Sequence, residues 1–301
     1  MKKLLSLLLL LLMLTIVSPV ANANNGTIVM SYEEYEQYIT ELYGEPLGYP
    51  LPAEVAKIST EFEWMILRDT NRERMKAGSS PLSTNATMQK AAKIRVDELL
   101  ISYSHIRPNG TIPTTAFKDV GLSAVEVMNG AELCAASFPT AAVSAWLKSN
   151  KHRYAMLSNA YVHSGVGVLK SPTKLKYFEV QLLLPERSPQ RNMSFLLPPS
   201  MEFPAGTSID SMGIAVKVNC PDHGNCYLPL LDEMCTGYDS AKTGIQAVTV
   251  KYDYIYQKNK KGSLLGAFLV SITDPPEEQY SDEGIEKLTK ADFLHKIGDN
   301  R

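Results

Sequence analysis

Four cysteines and five histidines are the residues of this 301-residue chain whose types suit metal ligation, redox chemistry or acid–base work. Cys220 and Cys226 flank the turn-rich Pro-Asp-His-Gly-Asn between two apolar runs, and Cys235 follows shortly after. Two chemistries fit that spacing. A hairpin end with a cysteine on each strand can close a disulfide, or Cys220, His223, Cys226 and Cys235 can gather round zinc. A paired C-x-x-C knuckle is missing, so the hairpin disulfide is the stronger reading. Cys134 and Cys235 lie 101 positions apart, and the sequence alone pairs neither.

Ser149 and His152 are three residues apart, a spacing that shares a helix face and invites a serine-nucleophile reading. No Gly-x-Ser-x-Gly elbow surrounds Ser149, and a serine at a helix end ordinarily caps or bonds locally, which is the stronger reading. His163 precedes Gly165-Val-Gly, a tight strand entry, and reads as exposed or as a local donor. Arg107 and Arg153, close behind two other histidines, read as ties to loop carboxylates rather than anion ligands. Trp64, Trp146 and the tyrosines could line a groove for carbohydrate or lipid. Trp146, between Val143 and Leu147, reads better as core.

The elements that must position these groups can be read along the chain. Lys2 and Lys3, the apolar run Leu4 to Val17 and Ala21-Asn22-Ala23 have the form of an export signal at 1–23, cleaved after Ala23. The run is shorter than the roughly 20 residues that span a bilayer, and no second run follows, so no transmembrane span is expected in the mature chain. No cysteine follows the cut to carry a lipid anchor. Residues 24–56 are Tyr- and Pro-rich and read as a leader with a short helix from Tyr32. Apolar spacing predicts helices over Ile58–Met75, Thr87–Tyr103 and Pro139–Lys148, then strands over His163–Leu169 and Lys176–Leu184. The stretch 185–196 has linker composition. Short β-branched runs at Ile214–Val218, Ala247–Tyr254 and Ala267–Ile272 then read as an all-β sandwich over 197–274, with Gln257–Gly262 as a hairpin tip. Residues 275–301 read as a charged tail.

The composition is that of an ordinary globular protein, 45% hydrophobic and 21% charged, which excludes collagen-like and low-complexity chains. The net charge of −2, which becomes more negative once Lys2 and Lys3 are removed, gives no basic surface for nucleic acid. Export would place the cysteines in an oxidising compartment.

Several blocks stand in order: Asn71-Arg-Glu-Arg-Met-Lys-Ala-Gly, Pro81-Leu, Ser104-His-Ile-Arg-Pro-Asn-Gly, Ala124-Val-Glu-Val-Met-Asn-Gly, Trp146-Leu-Lys-Ser-Asn-Lys-His-Arg-Tyr-Ala-Met-Leu and His163-Ser-Gly-Val-Gly. Over 57–184 they resemble the bacterial branch of the CAP superfamily, which also holds cysteine-rich secretory proteins, venom antigens and pathogenesis-related proteins. The stretch 197–274 resembles a bacterial immunoglobulin-like surface domain, a type that spaces or attaches its neighbours. Together the resemblances imply an α+β protein, a CAP α-β-α sandwich followed by an all-β immunoglobulin-like sandwich.

The CAP resemblance further implies a cleft lined by two histidines and acidic residues, by position His105, Glu126 and His152. Where relatives carry a second glutamate stands Ser149, and Val127 replaces an asparagine. Two imidazoles and a carboxylate can hold an open zinc site, perform acid–base work without metal, or form a satisfied polar network. The implied role is an extracellular one, binding a ligand or the cell envelope through the cleft. A divalent metal such as zinc could sit at His105 and His152, with Glu126. The alternatives are a metal-assisted hydrolase of peptide or cell-wall material, and a sterol or lipid binder.

Overall fold

The computed structural model describes residues 47–172, 176–257 and 259–274. The expected export signal, most of the leader and the charged tail lie outside the described residues.

The first part begins with a single turn, α1 (Ala53–Ala56), and the long helix α2 (Glu61–Lys76). Thr60 opens α2 with a capping box, its side chain accepting from the Glu63 N–H while the Glu63 carboxylate accepts from the Thr60 N–H. Asn85 caps α3 (Ala86–Ile101) by accepting from the Met88 N–H at 2.9 Å. Two short helices, α4 (Ala116–Asp119) and α5 (Ala124–Asn129), lead into strand β1 (Ala131–Ala135). Then come α6 (Ala142–Lys148), α7 (Asn150–Met156), β2 (His163–Lys170) and β3 (Tyr177–Leu184). The predicted helix bounds move by a few residues, and α7 and β1 are additions to the sequence reading.

The three strands form one antiparallel sheet in the order β1-β3-β2. Alternation along them divides the core in two. Phe178, Val180, Leu182 and Leu184 meet Met88, Ala92 and Val96 of α3 on one face. Leu133, Val166 and Leu183 meet Trp64, Ile66 and Trp146 on the other. The result is the expected α-β-α layering. Both tryptophans are buried in it and cannot line a groove. Gly165 and Gly167 let α3 lie directly on β2, because a Cβ at Gly165 would stand 2.0 Å from the Met88 carbonyl oxygen.

The second part contains β4 (Met193–Leu196), β5 (Glu202–Pro204), β6 (Ala215–Cys220), β7 (Gly224–Pro229), β8 (Cys235–Thr236), β9 (Gly244–Tyr256) and β10 (Lys260–Thr273). They make two sheets, β4-β6-β7 and β5-β10-β9-β8. All pairings are antiparallel except β5 with β10. Their inner faces share one core, with Val216, Val218 and Leu228 against Val248, Val250, Tyr252 and Val270. Strand β4 falls inside the stretch with linker composition, so that connection is a sheet edge in its last four residues. Its apolar Met193, Phe195 and Leu196 are what the Pro- and Ser-rich composition conceals.

The two parts are joined by more than a linker. Thr84 and Tyr227 exchange backbone N–H···O bonds at 2.7 Å in both directions. Arg72 pairs with Asp210, and Lys217 with Glu54 at 2.8 Å.

Candidate functional site

His105 lies in the loop after α3, and His152 lies on α7. Arg95, buried on α3, donates from Nη2 to the Ser104 carbonyl at 3.1 Å and so fixes the residue before His105. The other end of the loop is held by Arg107, which bonds Glu98, Asp119 and Thr115. On β1, Glu132 and Cys134 are two residues apart and share the face toward α3.

These elements bring the imidazoles together, Nε2 to Nε2 at 3.3 Å with ring centroids 5.4 Å apart. Glu132 Oε1 lies 2.9 Å from His105 Nδ1, and Cys134 Sγ lies 3.8 Å from His105 Nε2. Arg95 donates to both Glu132 oxygens, at 2.7 and 3.2 Å. One side chain of each of His105, Cys134 and His152 offers a donor atom within 4.8 Å of the others. His105 and His152 are partly open to solvent, while Glu132 is closed in.

The neighbours divide the two histidines electrostatically. Contact with Cys134, then with the Glu132 carboxylate, pushes His105 up to about 10. Burial, then the positive charge of His105, pushes His152 below its ordinary value. At neutral pH without metal, His105 is the protonated member of the pair and His152 the neutral one. Burial and the Cys134 sulfur push the neighbouring Tyr103 phenol up to about 12.

Glu126 is not part of this cluster. Its Oε2 accepts from the Ser123 N–H at 2.6 Å in a capping box that opens α5, and its Oε1 lies 3.8 Å from His223 Nε2. The carboxylate that meets His105 is Glu132. The Ser-x-x-Glu spacing of 123–126 is itself a helix-start signal, and the alternation of Glu132 with Cys134 was the sign of a shared strand face. Ser149 stands between α6 and α7, where its carbonyl accepts from the Arg153 N–H at 2.8 Å. Arg107 ties carboxylates, but those of Glu98 on α3 and Asp119 at the end of α4 and not of a loop, and Arg153 is exposed.

His163 is fully buried, not exposed, because the β6–β7 hairpin closes over the start of β2. The hairpin disulfide is not formed either, and all four cysteines are free thiols. Cys220 stands opposite Gly224 and Cys226 opposite Val218, so the two thiols occupy diagonal positions of the hairpin. Of the proposed zinc cluster, Cys220 and Cys226 converge on His163. Cys235 lies apart, its thiol donating to the Leu231 carbonyl.

Residues 67–183 match the family model described as CAP, the cysteine-rich secretory protein family, and this segment is a CAP domain of the bacterial type. The chain is 28% identical over 116 residues to the uncharacterized protein YkwD of Bacillus subtilis, a match that takes in 36% of this chain. It spans less than half of that relative, 43% of its length. Among solved structures, an outer surface protein of Borrelia burgdorferi is similar at 21% identity and a TM-score of 0.37, covering 42% of this chain and 93% of that one. An extracellular SCP-domain protein of Bacillus anthracis is similar at 20% identity and a TM-score of 0.36, covering 46% and 45%. Among the described residues, no helix is long and apolar enough to cross a membrane.

Proposed function

We propose that the protein works outside the cell as a binding module, its CAP cleft holding a divalent metal ion between His105 and His152 and receiving an envelope or extracellular ligand there. The observation that carries this reading is the 3.3 Å separation of the two Nε2 atoms. A tetrahedral zinc ion with Zn–N distances of about 2.0–2.1 Å sets two nitrogen ligands about 3.4 Å apart. Glu132 supports His105 in the manner of an outer-shell carboxylate, accepting from Nδ1 and turning the Nε2 lone pair toward His152. Cys134 Sγ is the third donor within reach. When bound, the metal would supply a Lewis-acid centre with an open position for a ligand oxygen.

Binding is favoured over hydrolysis because both Glu132 oxygens are occupied, by His105 and by Arg95, leaving neither free to take a proton from water. Ile101, Tyr103 and Ile106, at the end of α3 and in the loop that carries His105, are exposed and offer a partner an apolar surface. An export signal at 1–23 fits this location, and the β-sandwich that follows fits a spacer of the immunoglobulin-like kind. The test is metal analysis of the purified chain beside a variant carrying His105→Ala and His152→Ala. The variant should hold one zinc equivalent fewer, and equal zinc in both would remove the reading.

A further inference from the structure

We propose a second, structural zinc site where the two parts of the protein meet, formed by Cys220 Sγ, Cys226 Sγ and His163 Nδ1. It shares no residue with the CAP cleft. The three donor atoms lie within 4.8 Å of one another, and all three residues are fully buried. Cys226 Sγ stands 3.8 Å from His163 Nδ1. Zn–S of about 2.3 Å and Zn–N of about 2.0–2.1 Å in a tetrahedron set sulfur and nitrogen about 3.6 Å apart, so little movement is needed to admit the ion.

The surroundings are those of a ligand set. His163 Nε2–H donates to Glu186 Oε2 at 2.8 Å, and Glu186 is itself buried, with its other oxygen accepting from the Arg187 and Ser188 N–H groups. A carboxylate behind a histidine fixes the tautomer and leaves the opposite ring nitrogen, here Nδ1, to the metal. Asn85 Nδ2 donates to Cys226 Sγ at 3.5 Å, a bond that favours the thiolate. Ser83 Oγ, 2.9 Å from Nδ1, is the nearest oxygen for the fourth position, which a water molecule could also fill.

A rival set of two imidazoles and a carboxylate, His163, Glu186 and His223, also gathers within 4.8 Å. It would use the Nε2 that already donates to Glu186, and it would leave two buried thiols facing an unliganded Nδ1. Thiolates favour zinc over harder cations, so the sulfur set is preferred. An ion held there would tie β2 of the CAP domain to the β6–β7 hairpin of the second part. It would also guard both thiols against oxidation.

The test uses the full chain carrying His105→Ala, His152→Ala and Cys134→Ala, which removes the cleft ligands. Loaded with cobalt(II), it should show thiolate-to-cobalt charge-transfer absorption and tetrahedral d–d bands. Loaded with zinc, it should retain one equivalent, and adding Cys226→Ser should abolish that equivalent. The cobalt spectrum needs no variant at the site itself, so misfolding of the serine variant would not decide the matter. Absence of the thiolate band, zero zinc in the cleft variant, or an intact mass showing a Cys220–Cys226 disulfide would each overturn the proposal.

Discussion

Glu179 on β3 offers a prediction whose size can be worked from its surroundings. It is fully buried, its Oε1 has no hydrogen-bond partner, and its Oε2 accepts from the Ser137 N–H at 3.2 Å and the Ser137 hydroxyl at 3.4 Å. Burial pushes its carboxyl from 4.5 to about 7, a gap worth about 3 kcal/mol. The folded state binds this proton more tightly than the unfolded state does. Stability is therefore unaffected below 4.5, falls as pH rises between 4.5 and about 7, and stays reduced above that. In Glu179→Gln the charge is gone, while an amide without a partner replaces Oε1 at a cost of about 1 kcal/mol. The variant should be about 2 kcal/mol more stable than the unchanged chain at pH 8, raising the melting temperature by roughly 4–8 °C, and slightly less stable near pH 4.5. Urea unfolding at the two pH values measures both. A stability difference that does not change between them would refute the reasoning.

Other perturbations have equally definite outcomes. Gly165→Ala would drive a Cβ into the Met88 carbonyl, so α3 must lift from β2, and the variant should unfold at least about 3 kcal/mol more easily in urea or fail to express as soluble protein. Arg74, buried on α2, donates to the carbonyls of Ser80, Met156, Ser158 and Tyr161. Arg74→Met should cost about 4 kcal/mol and loosen the segment between His152 and His163, seen as faster amide exchange over 156–162. Glu132→Gln should bring His105 down from about 10 in the chelator-treated chain, followed by imidazole NMR. It should also cost about 3 kcal/mol, because Arg95 loses its buried partner.

Much of the frame was legible in the amino-acid order, because each element carries its own signal. Helices α2 and α3 repeat apolar residues at helical spacing behind Thr60 and Asn85 caps, and β9 buries every second residue. The meeting of His105 with His152 was also foreseen, through the CAP resemblance. The CAP resemblance points by position to Glu126 as the third member, whereas the Ser-x-x-Glu box at 123–126 marks that residue as a helix cap. Glu132 becomes the partner only once β1 pairs with β3 and Arg95 reaches across from α3. His163 is a stronger case. Its glycine neighbours suggest an open strand entry, yet its burial comes from a hairpin about sixty residues later in the chain. The thiol spacing of that hairpin was visible, whereas the imidazole it faces depends on how the two parts pack.

The most direct measurement of the cleft is an imidazole 15N spectrum of the chelator-treated chain during zinc titration, with His105 and His152 assigned by substitution. The Nε2 resonances of both should move together and saturate at one equivalent beyond that taken by the His163 site, with His105 Nδ1 remaining protonated toward Glu132. Resonances of His105 and His152 that stay fixed while zinc is taken up elsewhere would contradict metal binding in the CAP cleft.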